Sequence, residues 1–205
     1  MSLLRSTLAA RPEGKIPDID CGLRAAVTMI LRSGESPERE PQALFVRRAR
    51  VERDPWSGHV ALPGGRWDPS DADLVETARR ETLEETGLHL ERGDFIGRLR
   101  EIHPRSAHLP SICVTPFVAR LQGDLVLTLN HELTGHLWIP VSALSDPAYR
   151  STLVRDLPAR REFPSIDYRG DVVWGLTFEI IRDFLAALDS ATGRTRGGGD
   201  GAAGA

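Results

Sequence analysis

Apolar residues occur along this chain mostly in short runs of strand length. The first run is residues 24–31, RAAVTMIL, and further runs rich in Val, Ile and Leu follow it. These runs predict strands at residues 24–31, 43–48, 58–62, 95–102, 112–121, 136–139 and 163–168. Residues 173–188 differ from them. Leu176, Ile180, Phe184 and Leu188 recur there at steps of four, which predicts an amphipathic helix.

A second helix is predicted between the strands, within residues 63–88, PGGRWDPSDADLVETARRETLEETGL. The two glycines form a tight turn, Ser70 or Asp71 is the expected N-cap, and Gly87 is the expected C′ residue. Strands on both sides of this helix, with another helix near the end of the chain, indicate an α/β sandwich with a mixed sheet.

Three glutamates of this helix, Glu81, Glu84 and Glu85, are predicted to lie on one side of it. At about 100° per residue they fall within an arc of roughly 100°. The neighbouring arc, which is expected to face the core, consists of Leu74, Val75, Ala78 and Thr82. Like charges at these spacings repel by about 0.2–0.5 kcal/mol per pair, and the helix dipole disfavours negative charge in the last turn. Residues that destabilise their own helix in this way are expected at a functional site.

Two interpretations of the acidic helix face are open from the residues alone. It is either a solvated surface, whose repulsion Arg79 and Arg80 offset, or a binding site for a cation. Carboxylates beside a Gly-Gly turn provide the oxygen ligands that Mg²⁺ and Mn²⁺ prefer. Such ligands suit metal-assisted attack of water on a phosphate.

The segment resembles the signature of the Nudix hydrolases, G-x5-E-x7-R-E-U-x-E-E-x-G-U, in which U is an aliphatic residue. The matching positions are Arg80 and Glu81, Glu84 and Glu85, and Gly87 and Leu88. Thr82 stands at an aliphatic position, Ala72 stands at the first Glu, and Gly65 lies one residue too far upstream. Asp71 or Asp73 would replace the missing acid. The resemblance implies a Nudix-type α/β/α sandwich with a mixed β-sheet.

The same resemblance implies a metal-dependent pyrophosphohydrolase. The residues that it assigns to Mg²⁺ or Mn²⁺ are Gly65, through its carbonyl, and Glu81, Glu84 and Glu85. Water would attack one phosphorus of a nucleoside diphosphate derivative and cleave the P–O–P bridge. The general base stays open between Glu84 and Glu132, which lies in the NHEL segment and is alternatively an added ligand. Arg80 is expected to pair with the glutamates rather than with substrate.

Within the family, the chain is similar to the coenzyme A pyrophosphatase branch, which carries L-L-T-x-R-[SA]-x3-R-x3-G-x3-F-P-G-G upstream of the helix. The residues that correspond are Leu44, Arg48, Ala49, Arg53, Gly58, Pro63, Gly64 and Gly65, with one extra residue in 54–57. Residues 173–177, VWGLT, also resemble the I-W-G-x-T segment of that branch. The implied substrate is coenzyme A or a thioester of it, with adenosine 3′,5′-bisphosphate and (acyl-)phosphopantetheine as products. Arg48 and Arg53 are expected to bind its phosphates.

Other substrates and one other class of protein remain open. Pro104 falls where some ADP-ribose-cleaving relatives carry proline, which keeps ADP-ribose as an alternative. NADH and nucleoside triphosphates are further candidates. A Nudix-fold binding module without turnover is the non-enzymatic alternative, although the presence of all three helix glutamates favours an enzyme.

Composition limits the partners. With 205 residues and a net charge of −3, the chain has no basic field of the kind that binds nucleic acid. No apolar run approaches the ~20 residues of a membrane span, and no signal-peptide core is evident. Cys21 and Cys113 show no paired spacing and are predicted to be small core residues, which fits a reducing cytoplasm. A monomer or homodimer is expected.

The domain division follows the same patterns. Residues 1–22 are predicted to be an N-terminal extension, and residues 23–189 are predicted to form the Nudix hydrolase domain. Residues 190–205, which end in GGGDGAAGA, are predicted to be a flexible Gly/Ala-rich tail.

Overall fold

The computed structural model of the chain describes residues 2–9, 21–33, 40–50, 58–104, 111–156 and 160–194. Short 3₁₀ turns lie at Arg92–Asp94 and Pro147–Tyr149. The elements in chain order are α1 (Ser2–Ala9), β1 (Leu23–Ser33), β2 (Gln42–Arg48), β3 (Val60–Ala61), β4 (Gly64–Arg66), α2 (Leu74–Thr86), β5 (Phe95–Arg98), β6 (Ile112–Gln122), β7 (Leu133–Pro140), α3 (Val141–Ser145), β8 (Arg150–Asp156), β9 (Arg160–Tyr168), β10 (Asp171–Trp174) and α4 (Gly175–Thr192).

The central sheet is mixed, as the sequence predicts. Its strands follow the order β3-β2-β1-β6-β5, with β4 paired to β1 and β7 paired to β2. Strands β1 and β6 are parallel from the pair Leu23–Ile112 to the pair Ser33–Gln122, and the other pairs are antiparallel. A second, antiparallel sheet has the order β10-β9-β8. Because β1 also pairs with β4, which contains both glycines of the Gly-Gly turn, it is the strand around which the site is built.

Helices cover both faces of the central sheet. Helix α2 packs through Ala78 against Ala26 and Phe117. Helices α1 and α4 cover the other face, where the main core includes Leu8, Met29 and other buried residues. Alternation along β1 sends successive side chains to opposite layers, which gives the α/β/α sandwich. None of the helices in the described ranges has the length and apolar character of a membrane span.

Helix α1 lies within the predicted N-terminal extension. Leu4 and Leu8 are each only 2% exposed and belong to the main core. Arg5 donates a hydrogen bond to the Gly93 carbonyl at 3.1 Å, which ties the helix to the segment before β5. The helix is too short for its apolar spacing to predict it, since an isolated helix of this length is marginal without tertiary contacts.

The structure moves three predicted boundaries. The predicted strand at 95–102 ends at Arg98 and continues only as an isolated bridge at Ile102. The predicted helix at 173–188 begins at Gly175, because β10 pairs with β9 across a turn in which Arg169 and Gly170 have positive φ. Helix α4 then extends to Thr192, inside the predicted tail, and ends at a left-handed Gly193.

The cysteines do not occupy the core as two separate thiols. Cys21 and Cys113 form a disulfide with a Cα–Cα distance of 5.5 Å. The two residues are 92 positions apart in the sequence. Their approach depends on the parallel pairing of β1 with β6, in which Arg24 lies opposite Cys113. The prediction of isolated core cysteines is therefore wrong, because local spacing carries no information about this pairing.

Candidate active site

The Gly-Gly turn is held directly on β1. Thr28 donates a backbone hydrogen bond to the Pro63 carbonyl at 2.8 Å, and Gly64 and Gly65 pair with Val27 and Ala26. Gly64 has φ of 146°, and a Cβ there would collide with the carbonyl oxygen of Ala26. The turn therefore approaches the central strand more closely than a residue with a side chain allows.

Helix α2 begins two or three residues later than predicted. Its N-cap is Asp73, whose carboxylate accepts hydrogen bonds from the backbone N–H groups of Val75 at 2.9 Å and Glu76 at 3.0 Å. The predicted caps, Ser70 and Asp71, lie outside the helix. The predicted end is confirmed, because Gly87 is left-handed and closes the last turn.

The buried face of α2 orients two of the three glutamates toward the turn. Ala78 and Thr82 are fully buried, as the sequence predicts, which fixes the rotation of the helix. Glu85 is only 4% exposed and accepts a hydrogen bond from the Gly64 N–H at 2.9 Å. The Glu81 carboxylate lies so close to Gly65 that a Cβ at residue 65 would be 2.5 Å from the Glu81 Cδ. Two carboxylates thus meet the glycine turn.

Burial makes these two carboxylates unusually basic. The pKa of Glu85 is raised to about 7, chiefly by burial and to a smaller extent by the charges of Glu81 and Glu132. The hydrogen bond from Gly64 and the charge of Arg48 oppose that shift. Burial also raises the pKa of Glu81, against the opposing effect of Arg80. A cation bound between them would relieve both the burial cost and the mutual repulsion.

Glu84 lies apart from this pair. Its side chain is 55% exposed, and its Oε2 accepts a hydrogen bond from Arg80 at 3.3 Å. Within the described ranges, the helix glutamates and Glu132 do not form a group whose carboxylate oxygens all lie within 4.8 Å of one another. The structure therefore brings Glu81 and Glu85 to the turn and leaves Glu84 at its open side.

Arg80 is occupied by contacts inside the protein. Its guanidinium donates to both carboxylate oxygens of buried Asp71, at 3.0 Å each, and to Glu81 at 2.9 Å. A further hydrogen bond of 3.0 Å reaches the Arg66 carbonyl. Of the two acids that the sequence offers as a replacement, Asp71 contacts Arg80, whereas Asp73 caps the helix and pairs with Arg92.

Arg48 and Glu132 come to the same end of the helix. The Ala49 N–H donates to the Glu132 carbonyl at 2.7 Å where β2 meets β7, and the charges of both side chains influence the pKa of Glu85. The preceding loop docks on the end of α2, since Asn130 N–H donates to the Glu85 carbonyl at 3.1 Å. The other predicted phosphate ligand, Arg53, lies outside the described residues.

A cationic and aromatic cluster adjoins Arg48 and was not predicted from the sequence. Arg48 N–H donates to the His59 carbonyl at 3.0 Å, and the His59 ring contacts the Trp174 ring at a centroid distance of 4.7 Å. The Arg155 guanidinium lies over the same indole at 5.0 Å and within 3.1 Å of His59 Nε2. No local pattern in the sequence joins these residues, because they come from three different strands or loops.

Comparison with known proteins agrees with this geometry. The NUDIX domain family model matches residues 22–157, which is more than half of the chain. The Nudix hydrolase NudL of Yersinia pestis is 33% identical over 145 residues, covering 70% of each chain. An uncharacterized protein of Schizosaccharomyces pombe is 35% identical over 121 residues, or 57% of this chain, and the chain spans only 37% of that protein's length.

Solved structures of Nudix proteins share the fold of this chain. A MutT/nudix family protein from Enterococcus faecalis superimposes with a TM-score of 0.58 at 16% sequence identity, over 87% of this chain and 65% of that one. A likeness at this identity establishes the architecture alone. Together with the family match and the relationship to NudL, it leads to one conclusion: the chain belongs to the Nudix hydrolase family.

Proposed function

We propose that this protein hydrolyses the diphosphate of a nucleoside diphosphate derivative with the help of Mg²⁺ or Mn²⁺. The observation that carries the proposal is the convergence of Glu81 and Glu85 on the Gly64–Gly65 turn. Both carboxylates are buried enough to raise their pKa values, and only one receives a backbone hydrogen bond from the turn. Such a pair fits a hard cation better than it fits a structural role.

The residues have separate tasks in this proposal. Glu81, Glu85 and the Gly65 carbonyl hold the metal, and Glu84 completes the set from the open side. When bound, the metal neutralises charge on the phosphate oxygens and lowers the pKa of water. Arg80 keeps Glu81 in place. Its donors are already engaged by Asp71, Glu81 and the Arg66 carbonyl, so it is a positioning residue.

Proton transfer is assigned to a glutamate outside the metal ligands. Glu132 is the first candidate, because its charge influences both Glu81 and Glu85 while its backbone is fixed by Asn130 and Ala49. Glu84 is the second candidate, since its exposure leaves it open to solvent, and in that role it would not be a metal ligand. The charge of Arg48 acts on Glu85, and the Arg48 guanidinium suits a phosphate oxygen.

Coenzyme A or a thioester of it is the substrate that we propose. The support comes from Arg48 and from the cluster of Arg155, Trp174 and His59 beside it. An aromatic face with a guanidinium suits an adenosine whose ribose carries an additional 3′-phosphate, as in coenzyme A. Trp174 and Gly175 also belong to the segment that resembles the coenzyme A branch. Arg53 would add a second phosphate contact.

Hydrolysis of a panel of diphosphates tests both the reaction and the substrate that we propose. Purified protein with Mg²⁺ or Mn²⁺ should release adenosine 3′,5′-bisphosphate from coenzyme A faster than it releases AMP from ADP-ribose or NADH. A kcat/KM that favours ADP-ribose, NADH or a nucleoside triphosphate would contradict the assignment of coenzyme A as substrate, whereas the assignment as a diphosphate hydrolase would stand. Binding of these ligands without turnover of any of them would favour the non-catalytic module.

A further inference from the structure

A second group of potential metal ligands lies away from the glycine turn. One ligand atom from each of Cys21, Glu101 and Cys113 lies within 4.8 Å of the other two. Cys113 is buried and Cys21 is partly buried. Glu101 is held in place by the Thr115 hydroxyl, which donates to its Oε2 at 3.1 Å. Two sulfur ligands with a fixed carboxylate are a donor set of a different kind from that of the catalytic helix.

The sheet itself assembles this group. Parallel pairing of β1 and β6 places Arg24 opposite Cys113, which brings the preceding Cys21 to the same end of the sheet. An antiparallel bridge between Ile102 and Val114 then brings Glu101 alongside. Each ligand therefore rests on backbone that hydrogen bonding has already positioned, as a binding site requires.

His103 is a candidate for a nitrogen ligand. It follows Glu101 by two residues, the spacing at which side chains of an extended chain share a side. Both of its ring nitrogens are buried and have no hydrogen-bond partner among the described residues. Buried polar atoms normally find a partner, so this imidazole is available to a ligand, although its nitrogens are not among the atoms that lie within 4.8 Å of one another.

Glu101 borders a cavity. A volume of about 530 Å³ opens beside the first turn of α2, and its walls include Arg24, Glu101 and Thr115. Leu74 and Val75 form the helical wall of this cavity. Glu101 is the proposed ligand that lines the cavity, so a cation can reach the group past its carboxylate.

We propose that Cys21, Glu101 and Cys113, with His103 as the fourth ligand, bind a thiophilic divalent cation such as Zn²⁺ when the disulfide is reduced. An external dithiol reduces the disulfide to two thiols by giving two electrons and two protons and becoming a disulfide itself. A phosphine gives the two electrons, and water then supplies the two protons and the oxygen of the phosphine oxide. Binding of the cation then displaces both thiol protons. The disulfide and the metal site are therefore alternative states of the same residues. A tetrahedral ion with bonds of about 2.3 Å to sulfur would separate the two sulfurs by about 3.8 Å.

The two metal sites differ in selectivity. Thiolate and imidazole ligands select zinc and cobalt, whereas the oxygen ligands of Glu81 and Glu85 suit Mg²⁺ and Mn²⁺. Cobalt can therefore report the proposed site directly, because thiolate coordination gives it a charge-transfer absorption band that carboxylate ligands do not give. This readout does not depend on catalysis.

The test uses the full chain, reduced with a phosphine that is then removed without oxygen, and titrated with Co²⁺. The expected result is one equivalent with a thiolate-to-cobalt band, which Zn²⁺ abolishes and which the oxidised protein lacks. Glu81→Gln/Glu85→Gln should keep the band. Cys21→Ser and Cys113→Ser should lose it, and Glu101→Gln and His103→Ala should bind at least ~10-fold more weakly.

Absence of the band in reduced wild-type protein would overturn the proposal, as would a band that survives both cysteine substitutions. If Cys113→Ser fails to fold because its side chain is buried, Cys21→Ser decides, since that residue is partly exposed. Alkylation of the reduced wild-type protein provides a second route to the same comparison. Retention of cobalt binding after alkylation of both thiols would count against the site.

Discussion

The Asp71 carboxylate and the Arg80 guanidinium form two hydrogen bonds of 3.0 Å each, one to each carboxylate oxygen. Arg80 extends from this contact to Glu81, so a buried acid before the helix holds the arginine that positions a glutamate within it. The link from Asp71 through Arg80 to Glu81 at the glycine turn therefore consists of ion pairs and hydrogen bonds. Substitution of Asp71 measures how much this link contributes to the stability of the protein.

Asp71→Asn should lower the free energy of unfolding by about 2–4 kcal/mol, because it leaves Arg80 without its buried partner. The Arg80 contact holds the pKa of Asp71 at about 2, below its usual value. The stabilising effect is therefore complete above the unfolded pKa of ~4 and is lost as the pH falls toward 2. Urea unfolding between pH 2.5 and pH 7 measures both effects.

Asp68→Asn is the matched control, because Asp68 is exposed and accepts its side-chain hydrogen bond from Ser70. It should change the stability little. An Asp71→Asn variant that unfolds like Asp68→Asn at pH 7 would remove the structural role of the Asp71–Arg80 pair.

Glu81→Gln or Glu85→Gln should reduce turnover by at least ~100-fold, as loss of a charge-stabilising group commonly does. Both substitutions keep the size of the side chain and remove the charge that would hold the metal. Initial rates with and without EDTA measure the effect. Glu76→Gln is a control on the same helix, because Glu76 pairs with Arg79 and Arg92 instead. Activity in both variants that equals wild type would contradict the assignment of the metal site.

Glu85→Gln should also change how stability depends on pH in metal-free protein. The pKa of Glu85 is raised to about 7, so its protonated form stabilises the fold. That contribution is complete below the unfolded pKa near 4.5 and is lost as the pH rises through about 7. Glutamine stays neutral, so the variant should exceed wild type by ~2–3 kcal/mol at pH 8.5 and match it near pH 4.5.

Thermal unfolding in EDTA across this range gives the comparison. Glu84→Gln is the internal control, because the exposed Glu84 carboxylate should not produce the same crossover. Parallel stability profiles for wild type and Glu85→Gln would show that Glu85 titrates as an ordinary surface acid.

Gly65→Ala should impair catalysis more than stability. The added Cβ would meet the end of the Glu81 side chain at 2.5 Å, and that flexible end would have to move away from the turn. Displacing a metal ligand by about 1 Å commonly costs on the order of 100-fold in rate. Gly93→Ala is the control, because nothing lies within 4 Å of a Cβ there. Equal kcat values for the two variants would mean that Glu81 can bind from another position.

Arg155→Ala should raise the KM for coenzyme A more than the KM for its 3′-dephospho form. The Arg155 guanidinium lies over Trp174 beside the strand of Arg48, where an additional phosphate would be neutralised. Arg161→Ala is a matched control from the paired position on β9, where the side chain is exposed. Equal losses on both substrates would assign Arg155 to packing. The same substrate pair tests Arg53→Ala.

The sequence predicts the parts of the site that depend on local spacing. Gly87 ends the helix where expected, and the buried arc of Ala78 and Thr82 places Glu81 and Glu85 correctly. The N-cap was missed because Asp71 and Asp73 both have a side chain that can cap. Asp73 is the cap because the Asp71 carboxylate accepts hydrogen bonds from Arg80 and Thr77 in the folded structure.

Long-range relationships account for the rest. Neither the Cys21–Cys113 pair nor the contact of Arg155 with Trp174 follows from residues that are adjacent in the sequence. Helix α1 is stabilised by the packing of its Leu4 and Leu8 in the main core rather than by contacts within the helix itself. Each of these contacts depends on long-range packing, which the local sequence pattern does not predict.

The parallel pairing of β1 with β6 also has a consequence for how the chain reaches its native state. Its first pair, Leu23 with Ile112, joins residues 89 positions apart (112 − 23). Closing such a large loop is entropically unfavourable before its contacts form, and folds dominated by such contacts fold slowly. Helix α2 and the glycine turn lie inside that loop, and the turn is held by its pairing with β1 and by the Gly64 hydrogen bond to Glu85. We therefore expect the glycine turn to meet Glu81 and Glu85 late in folding, after the local contacts of the helix have formed.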